Sequence, residues 1–287
     1  MAHPVDGATP AAWPWTWQFE PWVLACLAAS GFAYAIGTVR LWRQAGRGRG
    51  ISPMQAGAFW AGWATLILAL VSPLDQWGTL LFSAHMVQHE LFMVLAAPLL
   101  VMGHPLAAWA WALPFNARRA VGRWTHHPAW RRPWQGLTTP LSGWLLHGLA
   151  LWAWHVPALF DAALQSTAVH TLQHVSFLGT ALIFWWSVLR PASRHAQGAA
   201  MAYLFTTMVH TGALGALLTL SPSVWYGTYL NTTTALGLDP LEDQQLGGLV
   251  MWVPAGFSYF AAGLVLAANW IGPRQGPLTS PAASPDS

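Results

Sequence analysis

The stretch GTLLFSAHMVQHELFMVLAAPLLVMG, from Gly78 to Gly103, decides the fold. It is long and apolar enough to cross a bilayer. It nevertheless carries His85, Gln88, His89 and Glu90 in its first half. His85 and His89 are four apart, so on a helix they share one face. Ionisable side chains are costly in hydrocarbon, and in membrane helices they face the bundle interior and mark a working site.

The composition agrees. Of the 287 residues 55% are hydrophobic and only 7% charged, whereas soluble domains run near a quarter charged. Lysine is absent and Trp unusually frequent, at 21 residues. The pI near 9.5 does not signal nucleic-acid binding, because the arginines stand in short loops between apolar spans and read as topology signals. The single Cys26 excludes an intrachain disulfide and a cysteine zinc cage; its place one turn into the first span suggests a small buried residue. The first twenty residues lack the basic start and apolar core of a cleaved signal, and Trp13, Trp15, Trp17 and Trp22 read as an interfacial anchor.

Working outward, the apolar runs predict an all-α, integral membrane bundle of seven transmembrane helices. They lie at about residues 22–42, 53–71, 78–103, 140–159, 169–189, 199–220 and 246–271, in a single domain over 1–272. The Pro/Ser-rich tail, 273–287, is expected to be disordered and cytoplasmic. All twelve arginines follow the odd-numbered spans. The even-numbered connections and the N-terminal segment instead carry Asp6, Glu20, Asp75, Asp161, Asp239, Glu242 and Asp243. The positive-inside rule then puts the N-terminus outside and the C-terminus in the cytoplasm of a bacterial-type inner (plasma) membrane.

With that orientation, a rise of about 1.5 Å per residue puts six histidines in the outer leaflet: His85 about 10 Å and His89 about 16 Å down, His155 and His170 near the edge, His174 one turn deeper, and His210 about 16 Å down. Two helices each carry an HxxxH pair, HMVQH and HTLQH. Such a pair can give one ion two ligands from one helix, and neutral imidazole suits copper, zinc or iron. Gln88, Gln173 and Glu90 stand where they could orient a ring. Met86 and Met208 neighbour these histidines, and thioether suits Cu(I). Asp239, Glu242 and Asp243 would form an acidic collar at the outer mouth. His147, deep in the fourth span, reads as an interhelical hydrogen-bonding residue. His3, His104, His126, His127 and His195 fall in loops or at span ends.

The segments SPLD (72–75), HMVQH followed by APLLVMGHPL, WHVPALFDAAL, HTLQHVSFLGTALIFWW and EDQQLGGLVMWVP resemble, in that order, the CtaG-type cytochrome c oxidase assembly factors. The resemblance covers roughly Ser72 to Trp270. It implies a seven-helix membrane protein that helps assemble haem–copper oxidase, with a part in supplying copper. His85, His89, His155, His170 and His174 match the family's histidines, and Asp243, Gln244 and Gln245 match the segment before its last helix. The expected function is therefore to receive copper, as Cu(I), from a periplasmic donor and deliver it to an oxidase subunit. Three alternatives remain open: a di-iron or copper membrane oxidoreductase, a haem protein with two axial histidines, and a metal-free chaperone for oxidase subunits.

Overall fold

In the computed structural model, residues 13–190 and 194–271 are described, apart from the side chains of Arg194 and His195. His3 and the tail 273–287 lie outside the described residues. Proline sets the helix starts: Pro21, Pro53, Pro73, Pro105, Pro128, Pro140, Pro157 and Pro240 are each the first residue of a helix. There the missing N–H costs nothing and the fixed φ is already helical. The helices in chain order are α1 (Pro21–Ala45), α2 (Pro53–Val71), α3 (Pro73–Leu80), α4 (Phe82–Met102), α5 (Pro105–Ala112), α6 (Phe115–His126), α7 (Pro128–Leu137), α8 (Pro140–Trp154), α9 (Pro157–Gln165), α10 (Thr167–Leu189), α11 (Arg194–Thr219), α12 (Tyr229–Ala235) and α13 (Pro240–Ile271). The described residues contain no strand.

Among the described residues six helices are long and apolar enough to cross a membrane: α1, α2, α4, α10, α11 and α13. The fourth expected span is shorter than read. α8 has 15 residues, about 22 Å at the helical rise and under the roughly 30 Å of a bilayer core. It stops at His155 because Val156 precedes Pro157 and is held extended at ψ 125°. The arginine-bearing segment after α4, read as a loop, forms α6 and α7.

The bundle is turned inside out relative to a soluble protein. Phe32, Leu149 and Phe257 face outward, at 70%, 70% and 74% exposure, while His85, Gln88, Gln173 and Gln244 are buried. This multi-pass membrane protein has lipid for its outer solvent, so its polar groups are collected within. Cys26 is also exposed, contrary to the buried role expected of it.

Two ends are chemically distinct. At one, Arg40 donates to the Ala112 carbonyl of α5, and Arg190 to the Val101 carbonyl of α4. At the other, Asp243 meets the start of α4, and Thr228 donates to Asp161 at 2.8 Å. These are called the arginine face and the histidine face below.

Two local irregularities position α4. It starts at Phe82, not Gly78, because Leu81 is extended (φ −130°, ψ 130°) and Asp243 takes the first free N–H groups. Its middle, Leu91–Ala96, is a π-turn in which Ala97 N–H reaches back to Phe92 O. In that register the next residue should reach Met93 O, but Pro98 has no N–H. The Trp185 indole N–H of α10 takes that carbonyl at 2.8 Å. A helix irregularity within a bilayer is thus satisfied by a neighbouring helix, as it must be where no water can help.

Candidate metal centre

Helices α4 and α10 run in the same direction, with Trp185 on Met93 and Arg190 on Val101 towards their ends. His85 and His170 are each the fourth residue of their helix, and His89 and His174 each the eighth. Equal offsets in parallel helices give equal depth, about 4.5 Å and 10.5 Å below the helix starts. His85 and His89 lie closer to the start of their helix than the sequence suggested, because α4 begins four residues later.

The four rings form a quadrilateral. Centroid separations are 4.2 Å for His85–His89, 4.1 Å for His170–His174, 5.6 Å for His85–His170 and 5.6 Å for His89–His174. One nitrogen each from His85, His170 and His174 lies within 4.8 Å of the others. His89 holds the fourth corner by ring position, outside that 4.8 Å set. Three nitrogens sharing one ion at about 2.0–2.1 Å stand about 3.3–3.6 Å apart in a trigonal or tetrahedral set, so closure on an ion draws them together by up to about 1.5 Å. His85 Nε2, both nitrogens of His89, His170 Nε2 and His174 Nε2 are buried with no hydrogen-bond partner among the described residues. Buried polar atoms are normally paired. The rings of His85, His170 and His174, drawn together and each with an unpaired buried nitrogen, fit a cation.

The surroundings choose the tautomers. His85 Nδ1 lies 3.3 Å from the Gly78 carbonyl, and His155 Nδ1 lies 2.7 Å from Leu151 O. A carbonyl only accepts, so both Nδ1 atoms carry the proton and both Nε2 lone pairs are free. Gly78 O also accepts from the Tyr229 hydroxyl at 2.6 Å. Burial, then Asp243, Tyr226 and Asp161 nearby, push the Tyr229 phenol up, so it stays protonated as that bond requires. A Cβ on Gly78 would stand 3.4 Å from His85 Cα and from Gln88 Oε1, which keeps this loop close to the ring.

His155 adjoins the quadrilateral across two phenyl rings. Phe160 packs on His85 and His155 at 5.1 and 6.4 Å, and Phe177 on His89 and His155 at 4.6 and 6.3 Å. Tyr226, stacked on Phe82 and tilted against Phe160, donates to His155 O at 3.0 Å and holds that loop beside the rings.

Other candidates sit elsewhere. His210 faces Trp144 at 6.0 Å and Gly148 of α8, apart from the four rings. Met86 points at Gly247 of α13, and Met208 lines a groove with Tyr259 and Phe260. Gln88 orients no imidazole: its Nε2 donates to Ala69 O at 2.8 Å and to Asp75 at 2.7 Å. The buried Gln173 amide lies beside the His85 ring and has no other partner among the described residues, so it is placed to orient that ring. Glu90 turns towards Tyr259 of α13, whose hydroxyl approaches His147 Nε2 at 3.5 Å. His147 Nδ1 approaches Thr180 Oγ1 at 3.4 Å, the interhelical role read for it.

The acidic collar is also redistributed. Asp239 caps α13 through Leu241 and Glu242 N–H at 2.7 and 3.0 Å, and Glu242 is exposed. Asp243 is buried and accepts from Phe82 N at 2.7 Å, Ser83 N at 3.2 Å and the Ser83 hydroxyl. It is the N-terminal cap of the histidine helix, where an acceptor suits both the free N–H groups and the dipole. Gln244 accepts from Trp225 N at 2.6 Å and donates to Ser223 O at 3.2 Å, fixing the loop before Tyr226. Asp75 lies close enough to His170 for their charges to interact; burial pushes its carboxyl up, against the opposing pull of Gln88 and His170. Its SPLD segment was visible in the sequence, whereas nothing there signalled Phe160, Phe177 or Tyr229 as pocket walls.

Uncharacterised proteins of Mycobacterium bovis and Mycobacterium tuberculosis are each 24% identical over 261 residues, and one of Mycobacterium leprae is 24% identical over 271. Each match covers 88% of this chain and 39% of the relative, so the chain spans about two fifths of these proteins' length. No solved structure matches. The family model for the cytochrome c oxidase caa3 assembly factor matches residues 32–272, which takes in the histidine helices and both ends of the bundle. The resemblance carried by the HxxxH and EDQQ segments is thereby confirmed, and the chain belongs to the cytochrome c oxidase caa3 assembly factor family.

Proposed function

We propose that the protein holds one copper ion, as Cu(I), in the pocket of His85, His89, His170 and His174, and passes it to a subunit of a haem–copper oxidase. The observation that carries this reading is the set of orphaned ring nitrogens at matched depth on two parallel helices. Neutral imidazoles are competent copper ligands without losing a proton. A trio within 4.8 Å leaves coordination open for the acceptor's ligand, as delivery requires. His170, less buried than His85 and His89, is the corner at which copper enters and leaves. Ring spacings of 4.1–5.6 Å, walled by Phe160 and Phe177, favour an ion over the broad plate of a haem. The positive-inside rule places the arginine face in the cytoplasm and the pocket near the periplasmic surface, where a copper donor docks. α8 with its following turn completes the seventh crossing.

The test is elemental analysis of gently purified protein under reducing conditions. About one copper per chain is expected, lost in His85→Ala/His89→Ala and in His170→Ala/His174→Ala but kept in His210→Ala. Unchanged copper in both double variants removes the reading. A sharp haem absorption band, or oxidase subunits co-purifying with a metal-free protein, would favour an alternative.

A further inference from the structure

On the arginine face, α2, α4, α5, α7 and α10 enclose an apolar slot of about 270 Å³. Phe59, Trp63, Leu100, Trp109, Leu182 and Trp186 form much of its wall. The two hydroxyls in the lining are already engaged: Ser30 donates to Leu27 O at 2.9 Å and Thr138 to Trp134 O at 2.8 Å. The Trp63 and Trp109 indoles donate to Leu27 O and Ser30 O at 3.0 Å each, and the rest of the lining is almost wholly apolar, so the slot suits hydrocarbon.

Its mouth is different. The Arg190 guanidinium lies 4.1 Å over the Trp186 ring and donates to Val101 O at 3.3 Å, and both of those residues line the slot. Helix α7 supplies another lining residue, Trp134, which meets Trp186 edge-on at 6.0 Å. Arg131 and Arg132, on the same helix just before Trp134, are exposed. Trp124, Trp130 and Trp134 stack in series at 4.4 and 6.3 Å. Helices α6 and α7 bury no residue and combine arginines with a tryptophan row, the character of helices lying in a membrane interface. Among the described residues, no carboxylate stands in the connections on this face.

We propose that the slot holds an acyl chain of one anionic phospholipid from the leaflet on the arginine face, with its headgroup phosphate on Arg190 beneath Arg131 and Arg132. The apolar wall takes the chain, and an uncompensated positive rim selects the headgroup's net charge. This site is separate from the histidine pocket and does not depend on copper.

The test is native mass spectrometry of the full chain in mild detergent. Delipidated protein is offered equal amounts of phosphatidylglycerol and phosphatidylcholine of the same acyl composition. One phosphatidylglycerol should be retained in preference. Arg190→Gln should weaken that preference about fivefold, and Arg131→Gln/Arg132→Gln more, with each variant still folded. Leu182→Trp, which fills the slot, should lower retention of both lipids, and inorganic phosphate alone should not compete. Equal retention of the two lipids by the native chain, or a preference unmoved by the arginine variants, overturns the proposal. If Leu182→Trp does not fold, the arginine variants decide, since Arg131 and Arg132 pack against no core.

Discussion

Replacing Asp243 separates two readings of the acidic segment before α13. As a collar, its value is its charge; as a cap, its value is the three hydrogen bonds it accepts from Phe82 and Ser83. Phe82 is 1% exposed, so Asp243→Ala strands its N–H without solvent, at a cost of about 1–3 kcal/mol, while Ser83 is partly accessible and recovers more. Those bonds are the cap itself, so the loss is about 1–3 kcal/mol in all, or about 2–10 °C in midpoint. Asp243→Asn keeps one acceptor but turns an NH2 group towards the same donors, and should lose about half as much. Because the cap sets where α4 begins, His85 shifts with it, and Cu(I) affinity should fall about tenfold. Exposed Glu242→Gln should stay within about 0.5 kcal/mol and leave copper uptake alone. The assays are thermal unfolding in detergent and competition with a chromophoric Cu(I) chelator. Equal loss of copper uptake in Glu242→Gln and Asp243→Asn, with midpoints unmoved, would refute the cap and restore the collar.

Three further outcomes follow from the helix contacts. Trp185→Phe keeps the ring but leaves Met93 O unpaired beside Pro98, and should cost about 1–3 kcal/mol in thermal unfolding. Gly248→Ala would place a methyl 2.7 Å from Gly215 O and from Thr219 N and force α11 and α13 apart, costing about 1–3 kcal/mol or more; Gly256→Ala on the same helix meets nothing within 4 Å and should be neutral or mildly stabilising. At the α4–α5 corner, burial and Arg190 push His104 below its ordinary value of 6.5, and Gln55 donates to its Nε2 at 3.1 Å, which only the neutral ring accepts. That contribution is complete above the unfolded value and is lost as pH falls through the lower folded one. His104→Asn, which tolerates the left-handed backbone at φ 54°, should flatten the dependence of midpoint on pH between 7.5 and 5.5, as read by thermal unfolding across that range.

Much of this architecture is legible along the chain. Apolar runs long enough for a bilayer marked the spans, and the paired HxxxH spacing with shared depth grouped His85, His89, His170 and His174 before any coordinates. What stayed hidden depends on the direction in which a residue faces, or on partners far away. Depth alone put His210 with the others, but its helix turns it to Trp144. Met86, one residue past His85, is rotated about 100° around the helix and falls against α13. The break at Leu81 looks like uninterrupted apolar helix until Asp243, 161 residues downstream of Phe82, is seen to cap it. Pro98 could be read as tolerable, but not that Trp185 would be what makes it so.

The cap on α4 also says something about order of assembly. A ribosome delivers HMVQH and HTLQH long before it reaches Asp243, yet the first turn of the histidine helix is unfinished until the last span has docked. A chain stopped before Pro240 should therefore sit in the membrane with all four imidazoles present and still hold copper poorly. Competence to carry the proposed ion would arrive only once the helix from Pro240 to Ile271 has docked, which keeps chains lacking it from trapping metal.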